Sequence, residues 1–254
     1  MSDKIATFKA LHIPGDPLVL FNIWDAGSAK VVAAAGAKAI ATGSFGVAEA
    51  QGFKDGETFG LDDALTNLER ILRVTDLPVT IDMESGYGAN PADVRASVAQ
   101  AWAAGAAGIN MEDRLPGVDA LVPLAEQAAR LAAAADSGLF VNARCDVFRG
   151  HKPETHGPEL VAAVLERGRA YADGGASGLF VPFTANTTCI AAICDKSPLP
   201  VNILWSPPCG TPADLAQLGV ARISYGHGPW AAAMTWLAAQ ARDVLAGNVP
   251  PYAT

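Results

Sequence analysis

A closed barrel of eight parallel strands, each followed by a helix, is the fold that this sequence predicts, and three observations predict it. Short β-branched runs alternate with Ala-rich amphipathic stretches along the chain. Glycine recurs at the helix-to-strand junctions AAGAKAI (34–40), AAGAAGI (103–109), DGGASGL (173–179) and QLGVARI (217–223), where a left-handed cap would hand over to an apolar strand. No GxGxxG or GxxxxGKS/T phosphate loop is present, which favours a closed (β/α)8 barrel over a doubly wound nucleotide-binding sheet.

The elements follow in order. VLFNIW (19–24) and KAIATG (38–43) read as the first two strands, the second entered from the first glycine junction. LDDALTNLERILRV (61–74) repeats its apolar residues at helical spacing and leads to the third strand, PVTIDME (78–84). PADVRASVAQAWAAG (91–105) opens on a proline, closes on a glycine and precedes the fourth strand, GINMED (108–113). LFVNARC (139–145) is the fifth strand. PELVAAVLERGRAYADGG (158–175) then carries the chain to GLFVPF (178–183), and the last two strands are PVNILW (200–205) and ARISYG (221–226). LPVT (77–80) and LPVN (199–202) introduce strands three and seven alike. Strict β/α alternation implies parallel strands and right-handed crossovers. No linker divides the 254 residues, so the whole chain, 1–254, reads as one domain.

Composition narrows the partners. A net charge of −8 argues against a nucleic-acid or acidic-membrane surface. The 17% charged fraction lies below the roughly 25% usual for soluble domains, so some apolar area is expected to be buried between subunits. The N-terminus MSDKIATFKALH lacks the apolar core of a signal peptide, and a cytoplasmic location is expected. Cys145, Cys189, Cys194 and Cys209 have no metal-finger or C-x-x-C spacing and read as reduced thiols, Cys209 in the turn-rich SPPCGTP.

Barrel enzymes place their chemistry at the C-terminal strand ends. Here those ends carry Trp24-Asp25, Thr42-Gly43-Ser44, Asp82-Met83-Glu84, Glu112-Asp113 and Arg144. Alternation puts Asp82 and Glu84 on one face, as it does Asn110 with Glu112 and Asn142 with Arg144. Three carboxylates at one mouth call for a cation, and all-oxygen ligation suits Mg²⁺ or Mn²⁺ at Asp82, Glu84 and Glu112, held partly through waters and substrate oxygens. The competing account is that these acids cap helices or pair with Arg144 and Arg114. Arg144 is suited to a substrate carboxylate through its planar fork of donors. Successive backbone N–H groups at Thr42, Gly43 and Ser44 would form an anion nest, unless the stretch is an ordinary turn. GFKDGE (52–57) reads as a loop whose Asp55 could serve as a mobile acid or base, or as a solvated turn. No strand ends in Lys, which leaves a Schiff-base aldolase without a nucleophile; of the four histidines only His227 is placed near a site.

These residues resemble the isocitrate lyase and phosphoenolpyruvate mutase superfamily across nearly the whole chain: FNIWDAGSAKVVAAAGAKAIATGS, AEAQGFKDGE, VTIDMESGYG, GINMEDR, VNARCDVF, PVNIL and LGVARISYG. The resemblance implies a (β/α)8 barrel with its last helix exchanged between subunits of a homodimer or homotetramer. It implies metal carboxylates at Asp82, Glu84 and Glu112, substrate binding at Trp24, Thr42 to Ser44, Asp82 and Arg144, and catalytic roles for Asp55 and Arg144. Glu84 stands where many members carry Asp. The Lys-Lys-Cys-Gly-His lid of the family's lyases is replaced by Glu112-Asp113-Arg114-Leu115-Pro116-Gly117-Val118-Asp119, which argues against isocitrate or methylisocitrate cleavage. The expected function is Mg²⁺-dependent cleavage or rearrangement of a C–C or P–C bond in a small 2-oxo or enolpyruvyl carboxylate. Two alternatives are a catalytically quiet binder of 2-oxo acids and a phosphosugar enzyme with its phosphate near Gly210 and Gly226-His227-Gly228.

Overall fold

A computed structural model describes residues 2–250 and 252. Its eight strands are β1 (Leu18–Leu20), β2 (Ile40–Ala41), β3 (Val79–Asp82), β4 (Gly108–Glu112), β5 (Phe140–Arg144), β6 (Gly178–Val181), β7 (Val201–Leu204) and β8 (Arg222–Ser224). Each overlaps the run that predicts it, although β1 ends at Leu20 and not at Trp24. All pairings are parallel, in the order β1-β8-β7-β6-β5-β4-β3-β2. The remaining seam closes through a parallel bridge between Ile23 and Thr42, where the Ile23 N–H donates to Ala41 O at 2.9 Å and the Gly43 N–H to Ile23 O at 3.2 Å.

The helices are α1 (Ser2–Ala10), α2 (Ala26–Ala34), α3 (Ser44–Ala50), α4 (Leu61–Leu72), α5 (Pro91–Ala104), α6 (Leu124–Ala135), α7 (Pro158–Asp173), α8 (Thr187–Lys196), α9 (Pro212–Gln217) and α10 (Gly228–Leu245). The four glycine junctions behave as their pattern requires: Gly36, Gly105, Gly175 and Gly219 have φ of 96°, 104°, 85° and 85°. Helix α5 shows how local chemistry sets an end, since the Asn90 side chain accepts from the Ala92 and Asp93 N–H groups and Pro91 fills the first turn.

Helix α1 is outside the repeat and stoppers the N-terminal end of the barrel. Its Phe8 is wholly buried among Leu18, Leu20, Ala41 and Phe140. Gly108 permits that approach, because a Cβ there would stand 2.8 Å from Phe140 O and 2.9 Å from the Phe8 ring. Above this plug the interior is polar: Asn110 Oδ1 accepts from Asn142 Nδ2 at 2.8 Å and from the fully buried Arg222 at 3.1 Å. The Asn residues are legible as inward-facing by alternation, whereas Arg222 sits in an apolar run and gives no such signal.

One local expectation changes. Strand β3 ends at Asp82, and Glu84 adopts φ of 47°, so simple alternation does not relate the two acids. The chain bends here because the Glu84 N–H turns back to donate to Asp82 Oδ1 at 3.2 Å. At the far end, α10 buries only Pro229 and leaves Trp236, Leu237 and Leu245 more than half exposed. No helix among the described residues is long and apolar enough to cross a membrane.

Candidate active site

The C-terminal ends of β3, β4 and β5 open into a cavity of about 460 Å³ whose walls include Asp55, Asp82, Glu84, Glu112 and Arg144. Strand register explains part of this convergence, since Asp82 pairs with Asn110, and Glu112 with Arg144. The Arg144 guanidinium lies 2.5 Å from Glu112, so the ion pair weighed against the metal reading does form, inside the cavity that the metal reading requires.

Arg144 is held from behind by a residue beyond the strand end. Asp146 is wholly buried and accepts from Arg144 Nε at 2.7 Å and Nη2 at 2.9 Å. The Asp146 N–H in turn donates to Asp113, whose carboxylate also accepts from Tyr171 at 2.7 Å and Arg167 at 3.1 Å. A guanidinium has five N–H donors; three are engaged by Asp146 and Glu112, and two remain for a ligand. Burial works against the Arg144 charge, but Glu112 and Asp146 outweigh it and hold its pKa above the usual arginine value. The signal was Asp146 itself, two residues beyond a strand-end arginine. Asp146→Asn should keep the shape but loosen the guanidinium, weakening oxalate binding by about 10–100-fold in calorimetry, the range for partners that orient a site group.

The acidic side is short of positive charge. Burial is the largest cause pushing Glu84 up to about 8, followed by Asp82 and Asp55. Burial also raises Glu112 to about 7 and outweighs Arg144, and it raises Asp82 against the same guanidinium. Among the described residues no three His, Cys, Asp or Glu side chains form a group able to hold an ion by themselves. The donor set nevertheless fits Mg²⁺: it is all oxygen, only partly compensated by Arg144, and sits in a cavity with room for waters or substrate oxygens to complete the shell. Without metal, the folded state holds protons on Glu84 and Glu112 that the unfolded chain releases near pH 4.5, so metal-free stability should fall as pH rises from about 5 to 8. Mg²⁺ needs those groups ionised, so its gain in melting temperature should grow over the same interval. Thermal unfolding with and without Mg²⁺ at several pH values reads both trends, and a gain that shrinks with pH would refute the assignment.

The loop carrying Asp55 is docked rather than free. Its Glu57, at φ of 58°, accepts from the Ser85 N–H at 3.0 Å, the Ser85 hydroxyl at 2.5 Å and the Tyr87 N–H at 3.2 Å. The Glu57 N–H donates to Glu84 Oε2 at 2.6 Å. This tie places Asp55 in the cavity wall. Only Glu57's position two residues after Asp55 hinted at it.

Other expected residues divide. Gly43 and Ser44 line the cavity, but the row of three free N–H donors does not form. Thr42 and Gly43 donate their N–H groups to Thr80 O and Ile23 O, because this is where the barrel closes, and only the Ser44 N–H turns to Asp82, at 3.4 Å. The Thr42 hydroxyl accepts from the Asp82 N–H at 3.0 Å, so Thr42 supports Asp82 from outside the main cavity. Trp24 does not line it either; it packs beside Val47 and Phe59. The chain turns away after Ile23 because Asp25 caps α2 in a reciprocal box with Ser28. Cys209 is buried, so its thiol is no ligand at the mouth. The short loop after β4 reaches the cavity, with Leu115 to Asp119 on its rim.

The family profile described as Phosphoenolpyruvate phosphomutase matches residues 8–245. The chain is 50% identical to a crystal structure from Burkholderia cenocepacia J2315 provisionally named a phosphonomutase, with a TM-score of 0.92 and coverage of 95% of this chain and 98% of that one. An uncharacterized protein of Mycobacterium tuberculosis (strain ATCC 25618 / H37Rv) is 37% identical over 251 residues, 96% of this chain and 91% of its own length. A phosphonopyruvate hydrolase solved with oxalate and Mg²⁺ is 25% identical at a TM-score of 0.83, covering 98% of this chain and 90% of the other.

Proposed function

This chain belongs to the phosphoenolpyruvate mutase/isocitrate lyase superfamily, and from that premise we propose a Mg²⁺-dependent enzyme that cleaves or rearranges a C–C or P–C bond in a small 2-oxo or enolpyruvyl carboxylate. The observation that carries the proposal is the cavity where Arg144, with two donors to spare, faces Asp82, Glu84 and Glu112 beneath the Asp55 loop. The oxalate and Mg²⁺ of the hydrolase relative suit the same pairing of an anion with a hard cation.

Asp82, Glu84 and Glu112 would hold the ion, Asp82 nearest the strand end. When bound, Mg²⁺ would supply Lewis acidity towards the 2-oxo oxygen. Arg144 would grip the carboxylate and set its plane, backed by Asp146. Gly43, which has no side chain, would let the anion come close to the backbone. Asp55 would move a proton at the reacting carbon or orient a water there, and Glu57 would keep its loop shut while it did so. The reduced loop after β4 favours decarboxylation or hydrolysis over condensation.

A screen with Mg²⁺ against oxaloacetate, phosphonopyruvate, phosphoenolpyruvate and alkyl malates tests the proposal; tight oxalate binding with no turnover would favour a quiet binder instead. Isocitrate and 2-methylisocitrate should not be cleaved, because the rim from Leu115 to Asp119 has no cysteine to act as acid or base. Glyoxylate or pyruvate release above about 1 s⁻¹, the lower end of ordinary turnover, would contradict this.

The exposed apolar side of α10 supports exchange of that helix within a homodimer or homotetramer. Light scattering on the full chain and on a chain ending before Gly228 should show the assembly lost in the second.

A further inference from the structure

Three guanidinium groups converge on one carboxylate beside the metal-binding acids. Asp146 Oδ2 accepts from Arg144 Nη2 at 2.9 Å and from Arg149 Nη1 at 3.4 Å, and Arg114 Nε stands 3.7 Å from the same carboxylate oxygen. One negative charge cannot serve three positive ones, and the distances show which go short. Arg144 has Glu112 besides. Arg114 Nε is buried and makes no hydrogen bond. For the Arg149 guanidinium the long contact to Asp146 is the sole hydrogen bond among the described residues, and its side chain is half exposed in the wall of the site cavity. A turn brings Arg149 there, its N–H donating to Asp146 O at 3.0 Å. The Phe183 ring then holds the two arginine heads together, with Arg144 5.5 Å and Arg149 5.9 Å from its centroid.

Resting on the function proposed above, we infer that Arg149 receives a second anionic group of the substrate, a carboxylate or phosphonate carried on the carbon beside the oxo group or one bond further. Arg144 and Arg149 share one carboxylate and one aromatic ring, so a ligand gripped by Arg144 has Arg149 within reach of a short anionic arm. Arg114, on the same cavity wall and short of partners itself, adds positive charge there and favours an anion over a neutral arm. A neutral arm would take water from Arg149 and return no charge-assisted bond, which selects against it. Arg149 is thereby the residue that separates dianionic from monoanionic 2-oxo acids, a task distinct from the grip of Arg144 on the first carboxylate.

Two pairs of ligands, each sharing a chelating head and differing in the charge of the arm, test this: N-oxalylglycine against N-oxalylglycinamide, and, for the shorter reach, sulfopyruvate against pyruvate. With Mg²⁺ present, calorimetry should show the charged member of at least one pair binding about tenfold or more tighter, as hydrogen bonds to a charged group predict. Arg149→Gln should remove most of that advantage while leaving oxalate and the neutral members unchanged, which also certifies that the variant folds. Added salt should shrink the advantage in the unaltered protein, because Arg149 is half exposed. If oxalate binds but the charged arm adds nothing in either pair, or if the advantage survives Arg149→Gln, the inference falls while the function stands. If the variant weakens oxalate as much as the charged ligands, or changes the assembly seen by light scattering, Arg149 is structural and the inference again falls. Failure of oxalate itself to bind the unaltered protein would overturn the function and this inference together.

Discussion

Asp82→Ala is expected to abolish turnover, lowering kcat/KM by on the order of 10³ or more, and to weaken Mg²⁺ binding while the barrel stays folded. Asp82 sits at the end of β3 with one oxygen towards Ser44 and the other towards Glu84, so it links the β2 turn to the acidic cluster. Its removal deletes the strand-borne member of the proposed ligand set without touching the hydrophobic core. The change also withdraws a negative charge from Glu84 and Glu112, whose pKa values it helps to raise, so both should ionise at lower pH in the variant. Circular dichroism and thermal unfolding check the fold, and calorimetry with Mg²⁺ and oxalate checks the site. Full activity of the variant in chelator-treated buffer would remove the metal from the mechanism.

The second large effect separates binding from chemistry. Asp55→Ala should leave oxalate binding within a factor of about two and lower kcat by roughly 10²–10⁴, the range for a positioned acid or base. Arg144→Lys should do the reverse to the first quantity: the charge remains, but the fork that reaches Asp146, Glu112 and the ligand together is lost, so oxalate affinity drops. Two separable defects support the roles. If Asp55→Ala turns over normally, the loop is only a docked turn, and Glu57 holds it for structural reasons alone.

Local patterns carried the barrel because each unit obeys short-range rules. Apolar runs of strand length, amphipathic helices and glycine caps at Gly36, Gly105, Gly175 and Gly219 act within a few residues, and their repetition implies parallel order. The candidate site is legible where a charged side chain coincides with a strand end: Asp82, Glu112 and Arg144 stand at the tips of β3, β4 and β5. Trp24 and Thr42 misled the same rule, because one turns away into a helix cap and the other is engaged in closing the barrel.

What the sequence by itself determined is therefore the element order, the closed-barrel class and the identity of the charged groups at the mouth, all properties of residue type and spacing. Tertiary structure alone decided which partners those groups meet. Asp146 becomes the clamp on Arg144, Glu57 ties the Asp55 loop to Ser85 across 28 positions of chain, and Arg222 reaches Asn110 across 112. The physical reason is range: a cap or an alternation is set by neighbours along the chain, whereas a buried charge takes its partner, and so its pKa, from groups that only the closed barrel brings within hydrogen-bonding distance.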